Sequence, residues 1–285
     1  MTDRANIFVS TDWLAAHLGD PAVAVIDGSW YLPTDGRDAE AEFRKSHIPG
    51  AVFFDLDAIA DTSSGLPHML PSAEAFSAAI GQLGISDGQT IVIYDGAGLF
   101  SAPRVRWTFR TMGAKDVRIL DGGFPQWLGD GRPVASGEPQ PVPNRFTASL
   151  DASAVRSIAD IRNIVRQGGV TIVDARSGER FRGEAAEPRP GLRSGHMPGA
   201  RNVPAGSLVA QGRLKAPADI EAIFSSAGVH GSAPIVTTCG SGVTAAILAL
   251  GLETIGAGDV ALYDGSWTEW GGAEDAPVVT GPASN

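Results

Sequence analysis

The chain has 285 residues and only one cysteine, Cys239. A lone thiol excludes an internal disulfide and any cysteine-rich zinc module. Histidine is also scarce. His17, His47, His68, His196 and His230 never form an H-x-x-x-H pair, so no local metal site is expected. Basic residues are outnumbered, with 22 Lys and Arg against 32 Asp and Glu, and the net charge is −10. Nucleic-acid binding needs clustered cations, and no basic block is present, so no nucleic-acid partner is expected. Long apolar runs are missing too. The longest, Val243 to Leu252, is half the ~20 residues a bilayer span needs, so no membrane role is expected. The opening MTDRANIFVSTDW lacks the apolar core of a signal peptide. These absences point to a cytoplasmic protein whose thiol stays free in reducing surroundings.

What is present is ordinary for a globular chain, with 43% apolar and 19% charged residues. The length suggests about two domains. The chain in fact resembles itself. AVIDGSW with Asp27 is matched by TIVDARSG with Asp174. FRKSHIPGAVFF with His47 is matched by LRSGHMPGARNV with His196. QTIVIYDGAG with Asp95 is matched by APIVTTCGSG with Cys239. VRILDGGFPQW with Asp121 and Trp127 is matched by VALYDGSWTEW with Asp264 and Trp270. The four pairs keep their order, at separations between 143 and 149 residues, which marks a tandem duplication. Between the copies, GDGRPVASGEPQPVPNRF carries four prolines and reads as an extended linker. The boundary is expected near residue 140, giving domains 1–140 and 141–285.

Within each half, short β-rich runs (AVAVID, TIVIYD, DVRIL; VTIVD, APIVTT, DVALY) alternate with helical segments. SAEAFSAAIGQLG opens on Ser72 as a candidate N-cap, and Gly84 and Gly228 are placed to stop helices. The alternation predicts an α/β fold, each domain a mostly parallel sheet flanked by helices.

Such sheets bind ligands at the carboxyl ends of their strands. Cys239 sits there, between APIVTT and the helix-like VTAAILALGLE, with Gly240, Ser241 and Gly242 following it. Backbone N–H groups and a helix N-terminus favour a thiolate, and two glycines let the loop curl around the sulfur. The matching loop of the first half offers Asp95 instead, so that half is expected to be catalytically silent. A cysteine phosphatase would need an arginine six positions after the cysteine, where Ala245 stands.

The duplication, the HIPGA and HMPGA segments and the strand–Cys–loop–helix unit resemble the tandem-domain rhodanese sulfurtransferases. The segment CGSGVTA, Cys239 to Ala245, resembles the active-site loop of the 3-mercaptopyruvate branch. The resemblance runs from about Phe8 to Trp270. It implies a ping-pong transfer in which Cys239 takes sulfur from 3-mercaptopyruvate as a persulfide, releases pyruvate and passes the sulfur to a thiol or cyanide. No metal or organic cofactor is implied. Thioredoxin or small thiols are the implied acceptors. Arg180 and Arg189, in RSGERFRGEAAEPRPG, match arginines that clamp the carboxylate and ketone of a 2-keto acid. Gly240, Gly242, Val243 and Thr244 would line the same substrate site. FFDLDAIADTSSGLPHMLP resembles a segment that brings Asp57 and His68 to the loop, where a Ser241–His68–Asp57 relay would form across the domains. His47 and His196 recur in the silent half as well and are read as structural, as are Trp127 and Trp270. Arg176, Arg182 and Arg193 are read as surface or structural.

Thiosulfate-preferring rhodaneses carry basic residues just after the cysteine, whereas Gly240 and Ser241 are neutral, so thiosulfate is expected to be a poorer donor than 3-mercaptopyruvate. The alternatives are a thiosulfate:cyanide sulfurtransferase and a sulfur carrier that loads Cys239 without turnover.

Overall fold

The β-branched runs become the centres of two parallel sheets. The computed structural model describes residues 4–283. The first unit runs β1 (Phe8–Val9), α1 (Thr11–Ala16), β2 (Val23–Asp27), α2 (Ala39–Lys45), β3 (Val52–Phe53), α3 (Ala73–Gln82), β4 (Thr90–Tyr94), α4 (Ala102–Thr111), β5 (Val117–Leu120) and α5 (Gly123–Gly129). The second repeats it as β6 (Val155–Arg156), α6 (Ile158–Gln167), β7 (Thr171–Asp174), α7 (Gly178–Arg182) and β8 (Arg201–Asn202). A small hairpin of β9 (Val209–Ala210) and β10 (Arg213–Leu214) intervenes. Then come α8 (Pro217–Ser226), β11 (Ile235–Thr238), α9 (Ala245–Thr254), β12 (Val260–Tyr263) and α10 (Ser266–Gly272). The sheet orders, β1-β5-β4-β2-β3 and β6-β12-β11-β7-β8, are the same permutation, and every pairing in them is parallel. The duplication seen in sequence is therefore a duplication of topology.

The outer strands β1, β3, β6 and β8 are two residues each and carry too little periodicity to be read in advance. The helix signals act where they stand. Ser72 Oγ accepts the Ala75 N–H at the start of α3, and Gly84 and Gly228 adopt φ of +76° and +71° just beyond α3 and α8.

The proline-rich stretch after α5 holds no helix or strand, but it is not free of the first unit. Phe146 packs edge-on against Phe76 and Phe109, and the Asp151 N–H donates to the Thr111 carbonyl. The chain therefore crosses to the second unit after Asp151, later than the boundary near 140 placed on proline content. Burying Phe146 outweighs the breaking tendency of the prolines before it.

The duplicated histidines close each unit internally. His47 Nδ1 meets the Phe43 carbonyl and His196 Nδ1 the Phe181 carbonyl, both at 2.8 Å, and each ring stacks on that phenylalanine. Trp127 and Trp270 are fully buried, their indole N–H groups donating to Pro133 and Pro277 carbonyls.

The units meet along α4 and α9. One apolar cluster crosses the junction, joining Leu99, Ala102 and Val105 to Ala245, Ile247 and Leu250. Helix α9 is buried along most of its length, which explains its apolar run. Arg106 forks onto Glu253 across the junction at 2.7 and 3.1 Å. Among the described residues no helix is long and apolar enough to cross a membrane.

Candidate active site at the Cys239 loop

The central strands β7 and β11 end together, Asp174 opposite Thr238, and Cys239 is the next residue. Its loop spans 239–244 before α9 begins at Ala245. Cys239 is only 2% exposed, at the floor of a cavity of about 650 Å³ between the units. Helix α10 holds the loop backbone in place. Trp267 N–H donates to the Cys239 carbonyl at 2.9 Å, and Thr268 N–H and Oγ1 reach the Gly240 carbonyl at 2.8 and 2.7 Å. Ser266 Oγ accepts the Cys239 N–H at 3.3 Å. Gly242 turns through φ +81°, and a Cβ there would stand 2.7 Å from Arg104 Nη1, so glycine is required on both counts. The N–H groups of residues 240–244 have no acceptor among the described residues, which leaves the donors of the loop that follows the sulfur unpaired.

The first unit shows what such an array holds. There the Asp95 carboxylate folds into its own loop. Oδ2 accepts the N–H groups of Phe100, Ser101 and Ala102 at 2.7, 2.9 and 2.8 Å, and Oδ1 takes that of Ala97 at 2.9 Å. A side-chain anion thus plugs one cradle, while the matching residue of its twin carries a thiol.

The first unit also sends a loop across the junction. His68 is 4% exposed and sits at φ +62°, a backbone conformation that a non-glycine residue keeps only when its surroundings hold it there. Its Nδ1 lies 3.1 Å from Ser241 Oγ, and its Nε2 lies 2.9 Å from Asp57 Oδ1. An ionised Asp57 takes the Nε2 hydrogen, which leaves the Nδ1 lone pair for the Ser241 hydroxyl. The bond to His68 holds the Asp57 carboxyl below its usual range despite partial burial; the Trp30 indole N–H at 3.0 Å and the Arg189 charge help. Arg104 of α4 fixes this loop. Its guanidinium donates to the His68 carbonyl at 2.5 Å and to the Gly242 carbonyl at 3.4 Å, and it pairs with Asp264 at 2.7 Å. The other Asp264 oxygen accepts the Leu70 N–H at 2.7 Å.

Arg180 and Arg189 both line the cavity. A Cβ added at Gly240 would lie 3.2 Å from Arg180 Nη2 and 4.0 Å from Arg189 Nη1, so the two guanidinium groups converge above the residue after the nucleophile. Arg180 is tied to the buried Glu187 at 2.5 Å. Arg176 is buried rather than at the surface. It forks onto Asp174, reaches Glu187 at 2.7 Å and lies over the Trp267 ring. Arg193 gathers the last carbonyls of α10 and those beyond it, at Trp270, Gly271, Ala273 and Ala276. Arg182 pairs with Glu184 at the surface.

The structure thus gathers Cys239, Ser241, His68, Asp57, Arg180, Arg189, Gly240, Val243 and Thr244 around one cavity or in direct contact with its lining, with Gly242 behind the loop. Sequence reasoning did not anticipate Arg104, Trp30, Ser266 and Glu187. The Asp-Gly-x-x-x-x-Trp repeat singled out Asp264 without its partner. Ser266 had a faint signal, since it stands at φ +50° where the silent half has Gly123 at +58°. Arg104 and Trp30 had none, because only tertiary folding brings them to the loop.

Comparison with known proteins identifies the family. The Rhodanese-like domain matches twice, at residues 10–130 and 157–273, and the chain belongs to that family. Within it, the chain is 44% identical over 272 residues to the 3-mercaptopyruvate sulfurtransferase of Escherichia coli strain K12, covering 95% of this chain and 97% of that one. It is 45% identical over 269 residues to the human 3-mercaptopyruvate sulfurtransferase, covering 92% and 91%. The crystal structure of SseA from Escherichia coli, described with the rhodanese fold and catalytic mechanism of 3-mercaptopyruvate sulfotransferases, superposes with a TM-score of 0.85 at 42% identity. That superposition covers 91% of this chain and 98% of SseA.

Proposed function

We propose that this chain is a 3-mercaptopyruvate sulfurtransferase working through Cys239. The observation that carries the reading is the convergence over Gly240. A residue without a side chain lies under two guanidinium groups, beside a thiol followed by a loop of unpaired N–H donors. Arg180 and Arg189 present donors to the ketone and carboxylate of a small 2-keto acid and bring its C3 sulfur to Cys239.

The Cys239 thiolate attacks that sulfur. An S–S bond forms, the C3–S bond breaks, and its electron pair leaves as the enolate of pyruvate. The proton from the substrate thiol ends on C3, relayed through Ser241 and His68, and Cys239 is left as a persulfide anion. The relay polarises the Ser241 hydroxyl toward the developing enolate, and Asp57 fixes the ring and stabilises it when protonated. The N–H groups of residues 240–244 stabilise the outer sulfur of the persulfide. A thiol, thioredoxin or cyanide then removes it. The first unit takes no sulfur, because Asp95 occupies its own cradle; it contributes Asp57, His68 and Trp30 to the shared site. The lone thiol suits a reducing compartment such as the cytoplasm.

The test is steady-state pyruvate release from 3-mercaptopyruvate beside thiocyanate formation from thiosulfate and cyanide, for wild type and Cys239→Ser. A strong preference for 3-mercaptopyruvate, abolished in the variant, is expected. A preference for thiosulfate would overturn the donor assignment, and loading of Cys239 without turnover would make the protein a carrier.

A further inference from the structure

Glu187 belongs to no expected site, yet it is among the most buried carboxylates beside the cavity, its side chain 1% exposed. Three arginines line the cavity that holds Cys239, and their charges are met unequally. Arg176 is answered by Asp174, which takes Nε and Nη2. Arg180 is answered by Glu187, with Nη2 to Oε2 at 2.5 Å and Nε to Oε1 at 3.3 Å, while Glu187 Oε1 also receives Arg176 Nη1 at 2.7 Å. Arg189 forms no ion pair among the described residues; its charge acts on Asp57, which is already engaged by His68. Arg180 and Arg189 nonetheless both reach the loop at Gly240.

We propose that Glu187 is a specificity-determining residue that cancels the charge of Arg180, leaving one uncompensated cation, Arg189, so that the site selects donors carrying one negative charge over those carrying two. The inference rests on the sulfurtransferase reading above and assigns the two arginines different tasks. Arg189 pairs with a carboxylate. Arg180, neutralised from behind, still offers N–H donors to an uncharged ketone oxygen. A monoanion such as 3-mercaptopyruvate is matched, whereas a dianion such as thiosulfate brings a second charge that meets a carboxylate within the same low-dielectric wall. The neutral Gly240 and Ser241 act in the same direction, so selectivity comes from an acid behind the cavity as well as from missing bases in front of it.

Wild type, Glu187→Gln and Glu187→Asp are assayed side by side with both donors. In Glu187→Gln the ratio of kcat/KM for thiosulfate over 3-mercaptopyruvate rises by about tenfold, because a dianion gains from the lost repulsion twice and a monoanion once. Glu187→Asp keeps the charge and shortens the arm. Its rates fall on both donors while the ratio stays within about twofold of wild type, as expected for a positional change. An unchanged ratio in Glu187→Gln, or an equal rise in Glu187→Asp, would overturn the proposal. A check on the unaltered enzyme covers a variant that fails to fold. Pyruvate and oxalate are nearly isosteric, with one charge and two. Pyruvate is expected to be the better competitor against 3-mercaptopyruvate, and tighter binding of oxalate would also refute the charge account. Wild type that releases no pyruvate would sink the activity reading itself. An active wild type with an unmoved donor ratio would sink only the role of Glu187.

Discussion

Replacing Arg104 by methionine tests how the two units share one site. Arg104 is 1% exposed and Asp264 3%, so both charges of the pair are withdrawn from water. The guanidinium also donates to the carbonyls of His68 and Gly242. Methionine fills most of the volume but supplies no donor. Asp264 keeps only the Leu70 N–H, and a buried ion pair broken on one side typically costs about 3–5 kcal/mol. If the units unfold together, an unfolding entropy of roughly 2 cal/mol/K per residue turns that loss into a Tm drop of about 5–8 °C. Asp264→Asn alone costs less, because the amide can still accept from Leu70. The double variant Arg104→Met/Asp264→Asn recovers part of the loss, giving a coupling of at least about 1 kcal/mol in a double-mutant cycle. Activity separates stability from positioning. His68 keeps φ +62° only while its surroundings hold it, so kcat for pyruvate release falls at temperatures where Arg104→Met is still folded, with a smaller change in KM. Denaturant unfolding of the four proteins and steady-state kinetics at 20 °C provide the readings. Strict additivity, or a folded Arg104→Met with unaltered kcat, would refute the account.

Other expectations follow from the same geometry. Arg189→Ala removes the cation free to pair with the substrate carboxylate and should cost ~2–3 kcal/mol in kcat/KM for 3-mercaptopyruvate; an unchanged kcat/KM would contradict the carboxylate assignment. Asp27, buried in the first unit, has its carboxyl pushed from 3.8 up to about 6, chiefly by burial, with hydrogen bonds from Ser29 partly opposing. A raised folded pKa means the native state holds this proton more tightly than the unfolded chain. The stabilisation is complete below about pH 4 and lost as pH rises through about 6. Asp27→Asn should therefore gain stability over wild type by up to about 3 kcal/mol at pH 8, the advantage shrinking toward zero near pH 4. Denaturant midpoints across that range check this, and a pH-independent difference would contradict it.

The duplication, the α/β class and the position of Cys239 at a strand end were legible because they rest on local signals. Those signals are β-branched runs of four or five residues, glycines beyond helices, and short motifs kept in order at one separation. The domain crossing was less legible, since Pro139 and Pro141 announce a break, while Phe146 just beyond them returns to the first core. Arg180, Arg189, Asp57 and His68 were named only through family resemblance. Nothing in their own neighbourhoods distinguishes them from loop residues, and Arg176, two positions after Asp174, reads only as surface or structural.

By itself the sequence determined the central strands and the helices between them, that the fold is built twice, and that only one copy carries a thiol. Hydrophobic periodicity, turn chemistry and residue identity are properties of neighbours along the chain. The tertiary structure decided what that thiol faces. His68 lies 173 positions from Ser241 and Arg104 lies 138 from Gly242, and they meet because α4 packs on α9 and presses the two units together. Glu187 and Arg180 are only seven residues apart, but it is the burial of that carboxylate behind the guanidinium that determines how much of the arginine's charge reaches the cavity.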